Sequence, residues 1–273
     1  MKPAAFDYVR AGSVEETVSV LAEAAGDAKI LAGGQSLVPM MALRLARPTV
    51  LVDINRIPDL DAVRRTDGAV EVGALVRHRD LTDQTEHPLL AEAARWIGHT
   101  AIRTRGTVAG SIAHADPAAE LPVVALATGA TATVIGPRGT RIVAADDLFV
   151  GPLMTTLADE DLVTAVRFPL PSRWGFAEFA RRHGDFALVT AVTAELDDAV
   201  RIVLGGIGPV PRRATAAEAV LAAGGTAGDA ADAAAQEIDP TGDLHGSAAF
   251  RRAIAAEMVR RALAGAGIGQ GRA

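Results

Sequence analysis

Residues 13–37, SVEETVSVLAEAAGDAKILAGGQSL, decide how the chain begins to fold. Ser13 and Glu16 stand at capping-box spacing, with the serine set to cap the first turn and the glutamate to reach back to its amide. Val18, Leu21, Ala22 and Ala25 follow at helical intervals, and Gly26 supplies a C-terminal stop. The apolar run 28–32 then reads as a strand that passes straight into Gly33-Gly34-Gln35-Ser36. A second strand is expected over 49–54, before Asn55. A helix followed by two apolar strands predicts an α/β lobe.

Working outward, 69–76 is strand-like, and a helix starts at Pro88 and runs through Trp96. Residues 117–128 read as another helix, with Pro117 at its first position and Asp116 just before it. Residues 134–139 mark a hairpin turn, with Ile142 and Val143 on its return strand. Pro169-Leu170-Pro171-Ser172 is the clearest boundary. Beyond it lie strand-like runs at 176–182, 187–196 and 201–207, then alanine-rich helices at 215–223, 229–237 and 247–263. The expected fold is α+β. A two-lobed α/β domain covers 1–171 (lobes about 1–56 and 57–171), and a smaller α+β domain with a three-stranded antiparallel sheet and helices covers 172–273.

Composition narrows the chemistry. The chain has 273 residues, 49% hydrophobic and only 4% aromatic, so the core is built from aliphatic side chains and alanine. A net charge of −6, with Lys2 and Lys29 the only lysines, argues against nucleic acid or anionic lipid as a partner. With no cysteine, the polypeptide cannot form disulfides, ligate iron–sulfur clusters, bind zinc through thiolates or use a cysteine nucleophile. The N-terminal residues lack an apolar signal region, and the longest near-apolar run, 121–136, is too short and interrupted to cross a bilayer. A soluble, cytoplasmic protein is expected.

No P-loop, GxSxG or HExxH motif occurs. Gly265 to Gln270 nearly imitates a dinucleotide fingerprint, but the chain ends before a helix and second strand could follow, so it reads as a frayed tail. Two loops of small residues remain. In the first, Ile30-Leu31-Ala32-Gly33-Gly34-Gln35-Ser36-Leu37, the backbone can approach a ligand closely and successive amides can cradle an anion; the plain alternative is a tight turn leaving a strand. In the second, TVAGSIAHADPAAE (107–120), Thr107 and Ser111 offer hydroxyls and Ala109-Gly110 open the backbone. Asp116 suits a helix cap, whereas Glu120 suits a ribose hydroxyl. His114 and Asp116 could ligate a metal, but no third ligand accompanies them, so no metal site is assigned. Loops with amide donors and no cationic cluster suit a pyrophosphate. No nucleophile–base pair or catalytic carboxylate pair is evident, so the chemistry falls to a cofactor.

At these loops the chain resembles the FAD-binding medium subunits of the molybdenum hydroxylases, the family of carbon monoxide dehydrogenase and xanthine dehydrogenase. The likeness runs from Phe6-Asp7-Tyr8 through AGGQSL (32–37) and TVAGSIAHADPAAELP (107–122). It continues through RRHGDFA (181–187), Gly205 to Gly208, Pro211-Arg212, and Asp243 with Phe250-Arg251-Arg252, to Arg260 through Leu263. The resemblance implies a flavin domain of the vanillyl-alcohol-oxidase-like type followed by a smaller α+β domain. It implies that Ala32 to Leu37 and Thr107, Ala109, Gly110 and Ser111 grip the FAD diphosphate. Glu120 would face the ribose, and Ile97 and Phe186 the flavin ring; core packing is the alternative for Phe186. Ile30, Leu31, Asp116 and Leu162 complete the expected non-covalent FAD site, and no residue is assigned a catalytic role.

Two departures stand out. Ala109 replaces the first glycine of the usual pair, and Glu178 stands where relatives often carry lysine. The resemblance further implies a large molybdenum-cofactor subunit and a small subunit with 2Fe–2S clusters, in a dimer of heterotrimers. Electrons would run from those clusters through FAD to an external acceptor, making the chain the flavoprotein subunit of an oxidoreductase. The alternatives are a self-contained flavin oxidase and a flavin-free docking subunit. The arginines at 251, 252, 260 and 261 are either a solvated helix face or part of an interface.

Overall fold

The computed structural model describes residues 2–84 and 86–269. The chain opens with β1 (Asp7–Arg10), α1 (Val14–Glu23), β2 (Ala28–Leu31), α2 (Leu37–Ala42) and β3 (Val50–Asp53), and the strands form a parallel sheet of order β1-β3-β2. Ser13 Oγ accepts the Glu16 amide at 3.1 Å, but the glutamate reaches one residue further back than expected, accepting from the Gly12 N–H at 2.7 Å. Strand β1 is polar (DYVR) and mostly exposed, so no apolar pattern announces it; it forms on the free edge of β3.

A second sheet is antiparallel. Strands β4 (Val63–Thr66) and β5 (Ala69–Gly73) lead to α3 (His78–Leu81), α4 (Pro88–Trp96), α5 (Thr100–Arg103), α6 (Val108–His114) and α7 (Glu120–Thr128). Then come β6 (Thr131–Gly136), β7 (Gly139–Ala144), α8 (Ala145–Leu148), the small hairpin β8 (Phe149–Gly151) and β9 (Met154–Thr155), and β10 (Leu162–Pro169). The order is β4-β5-β10-β6-β7.

Two expectations change here. The 117–128 helix begins only at Glu120, because Pro117 O accepts from the Gly206 N–H and Asp116 to Ala119 form a turn. The second small-residue loop is largely helical: α6 starts at Val108, with Thr107 Oγ1 accepting the Gly110 amide at 3.2 Å. The run 121–128 is apolar on every side because α7 is buried all round.

The C-terminal sheet joins β11 (Arg173–Phe179), β12 (Val189–Leu196) and β13 (Ala199–Gly205), with the two-residue β14 (Arg212–Arg213) adding a fourth strand to the three expected. The alternation of β12 explains its near-continuous apolar run. Val192 and Ala194 face the core shared with α7, while Val189 and Ala191 face the core under α9 (Thr215–Ala222), α10 (Ala227–Glu237) and α11 (Ala248–Ala266). The presumed frayed tail is ordered as far as described. Gly265 and Ala266 belong to α11, Ile268 is buried, and Gly269 O accepts the Ala227 amide; Gln270 lies outside the described residues. No helix among the described residues is long and apolar enough to cross a membrane.

Candidate functional site

The first small-residue loop touches the residues that lead into the second, more than seventy residues away in sequence. A Cβ built on Gly33 would lie 2.4 Å from Arg105 O and 2.8 Å from Gly106 Cα, so only glycine allows this approach. A polar network fixes the junction. Asn55 Nδ2 donates to Ala32 O (2.9 Å) and Leu31 O (3.3 Å), and Asn55 Oδ1 accepts from the Arg77 guanidinium. A second nitrogen of Arg77 donates to Arg105 O, and Arg77 forms an antiparallel bridge with Thr107. Asn55 and Arg77 thus tie one segment to the other. Neither was singled out from the sequence, since one is a strand-end asparagine and the other lies in no motif.

Within the first loop, Gln35 Nε2 folds back onto Gly33 O (3.2 Å), so its side chain braces the turn. Among the described backbone hydrogen bonds, the amides of Gly34, Gln35 and Ser36 donate to no protein acceptor, while the Val38 and Met40 amides bond back to Gly34 and Ser36. In the second segment Gly110 and Ser111 N–H are used by Thr107, leaving Ala109 N–H without a protein acceptor among those bonds. Ala109 sits in helical backbone, so the missing first glycine costs no strain there. Unpaired amides beside a close backbone approach are what a diphosphate requires, and the residues present fit that group.

No cationic cluster is visible in the sequence, but the fold brings Arg105 and Arg79 near Arg77: burial first, then Arg105, lowers the Arg77 pKa, while Asp80 and Asp53 act in the opposite sense. Beneath the second segment lies His78. Its Nε2 is 2.9 Å from Thr107 O, burial pulls its pKa to about 4, and its Nδ1 has no protein partner. The neutral ring therefore donates from Nε2 to the residue that caps α6.

The expected flavin-ring residues separate. Ile97 is buried in the main core, as is Leu162 of the wider expected site, whereas Phe186 is 75% exposed. Their segments still meet: the Trp96 and His183 rings lie edge-on at 5.2 Å, which brings 96–99 beside 181–186. Asp116 is not a helix cap. It accepts the Ala118 amide (2.9 Å) inside the turn that precedes α7. Glu120 is only 7% exposed; burial and then Asp116 push its carboxyl up, against a partial offset from its own backbone N–H. Glu178, 9% exposed, lies close enough that Glu120 raises its pKa further.

The arginines of α11 are committed within the chain. Arg251 is buried and donates to Leu188 O, Gly206 O and Asp243, while Arg252, Arg260 and Arg261 pair with Asp239, Asp232 and Glu257. A surface concavity of about 890 Å³ between β13 and α9 is lined by none of the loop residues, and its charges are paired as Arg173–Glu195 and Arg213–Glu218. No group of three or more potential metal ligands is assembled among the described residues.

Residues 4–171 match the model of the FAD binding domain in molybdopterin dehydrogenase, and residues 174–266 match the CO dehydrogenase flavoprotein C-terminal domain. Two relatives come from Paenarthrobacter nicotinovorans. The 6-hydroxypseudooxynicotine dehydrogenase complex subunit alpha is 44% identical over 97% of this chain and 95% of its own. The nicotine 6-hydroxylase medium subunit is 40% identical over 98% and 99%. Among solved structures, a chain of carbon monoxide dehydrogenase from Hydrogenophaga pseudoflava superposes with a TM-score of 0.90 at 38% identity, covering 98% of this chain and 99% of that one.

Proposed function

The chain belongs to the FAD-binding medium subunits of the molybdenum hydroxylases, and from that premise we propose that it is the electron-relay subunit of such an oxidoreductase. Electrons would arrive from iron–sulfur clusters on a small partner subunit, fed by a molybdenum centre on a large one, and leave to an external acceptor. We further propose a flavin domain over 1–171 and a C-terminal domain over 172–273, a cytoplasmic location, and assembly as a dimer of heterotrimers.

The carrying observation is the contact between Gly33 and Arg105, which joins two amide-bearing segments in a chain with no cysteine to hold a metal cluster. FAD, when bound, supplies the redox carrier that the polypeptide lacks. The amides of 33–36 and of Ala109 would receive its diphosphate without a covalent tether, with Arg77 and Arg105 offsetting the charge. Ser36, Leu37 and Ser111 border that position. Glu120 would accept from a ribose hydroxyl, while the 96–99 and 181–186 segments would flank the ring, with Phe186 free to cover it.

Co-expression tests this reading. The isolated chain should be yellow, and no organic substrate should bleach it. With its molybdenum and iron–sulfur partners, substrate should bleach the flavin. Oxygen-dependent turnover of an alcohol by the isolated chain would favour a self-contained oxidase, and a colourless protein a docking subunit.

A further inference from the structure

Glu178 has no role in the reading above, yet it is buried on the strand pair that α7 crosses, within electrostatic reach of the residue assigned to the ribose. It lies near the end of β11, opposite Thr190 of β12, whose hydroxyl donates to Glu178 Oε2 at 3.3 Å. Helix α7 lies across β12 and β13, and the Pro117–Gly206 hydrogen bond ties its lead-in turn to the end of β13. Glu120, the first residue of α7, therefore comes down over the same place.

Among the described residues no cation answers this pair. The turn before α7 adds Asp116, a like charge. From α11, Arg251 is spent on two carbonyls and Asp243; on α4, Glu92 and Arg95 bond one another. Strand β12 contributes the neutral hydroxyl of Thr190, and the charged groups of 181–185 are exposed. Two carboxylates with little water and no counter-ion do not both ionise. The Thr190 bond also suits a neutral acid, since it occupies one oxygen as an acceptor and leaves the other to carry a proton. Burial and the charge of Glu120 both act to hold that proton on Glu178.

We propose that Glu178 is a positioning residue kept as a neutral carboxylic acid, so that the Glu120–Glu178 pair bears one negative charge and Glu120 stays free to accept a ribose hydroxyl. The proposal rests on the reading that FAD binds here. Ionising the pair places a second carboxylate beside an anionic ligand, so FAD should bind more weakly as pH rises.

The test is titration of the full-length apoprotein with FAD from about pH 6 to about pH 9, followed by flavin fluorescence. Wild type should weaken by about tenfold or more towards the alkaline end of this range, while Glu178→Gln, which cannot take the second charge, should bind like wild type near neutrality and lose that alkaline weakening. A flat wild-type profile, or an unchanged slope in Glu178→Gln, would overturn the proposal. Urea unfolding without FAD separates this from failure of the flavin reading. The folded state holds more protons than the unfolded one, so wild type should lose stability as pH rises, and Glu178→Gln should lose less. Equal losses would sink the neutral acid even if FAD binds. The infrared spectrum of wild type needs no variant: a protonated-carboxyl band that disappears on alkaline titration is expected, and its absence contradicts the proposal.

Discussion

Gly33 and Arg105 are in backbone contact across the candidate cofactor site: a Cβ on the glycine would come within 2.4 Å of the arginine carbonyl oxygen. The contact carries two consequences, one for the ligand and one for the fold.

Gly33→Val should abolish FAD retention and also destabilise the apoprotein. The branched side chain drives Arg105 and Gly106 away from the first loop, and overpacking of this kind costs about 1–3 kcal/mol. Apoprotein melting and FAD titration measure the two effects. A variant that keeps both wild-type values would mean that the loops do not meet as described.

Glu120→Ala should weaken FAD about ten- to a hundredfold, the worth of a charge-assisted hydrogen bond. Asp116→Ala should cost clearly less, because its carboxylate is occupied by the Ala118 amide. Isothermal titration of both apo variants decides the matter, and equal losses would remove the distinction between them.

These two sites also show what the sequence made legible. The strand leading into Gly33 and the helix at Pro88 follow from caps, glycines and apolar spacing, which act locally. Strand β1 did not, because its four residues carry no alternation and exist as a strand only through β3. Pro117 suggested a helix start that the Gly206 hydrogen bond overrides, an effect of tertiary contact. The cationic junction at Arg77 and the Glu120–Glu178 pair were invisible for the same reason, since each joins segments far apart in the chain. The helical start at Val108 was within reach, as Thr107 stands where an N-cap belongs.

His87 is buried at the start of α4, where Nδ1 accepts the Leu90 amide and Nε2 donates to Pro169 O; burial lowers its pKa to about 4. The folded value lies below the unfolded one, so protons favour the unfolded chain and stability is lost as pH falls through this window. The carboxyl pair acts in the opposite sense, so the histidine is isolated by comparison with His87→Gln. Between about pH 7 and about pH 5, urea unfolding should show wild type losing about 1–2 kcal/mol more than the variant. No difference would show that His87 is not held neutral.

Arg251→Ala should destabilise the isolated chain by about 2 kcal/mol or more, since it strands two carbonyl acceptors beneath α11. Arg261→Ala, at the exposed end of a within-helix pair, should change stability by less than about 0.5 kcal/mol. Chemical denaturation of the two variants checks this, and equal small effects would return Arg251 to the surface.

The relay itself is tested by removing FAD from the assembled complex. With flavin depleted, substrate should still reduce the iron–sulfur clusters of the partner subunit, seen as loss of their visible absorbance, while reduction of the external acceptor stops. Added FAD should restore acceptor reduction in proportion to the flavin bound, up to one per chain. Undiminished acceptor reduction without flavin, or clusters that no longer respond to substrate, would contradict the assignment of this subunit as the exit route for electrons.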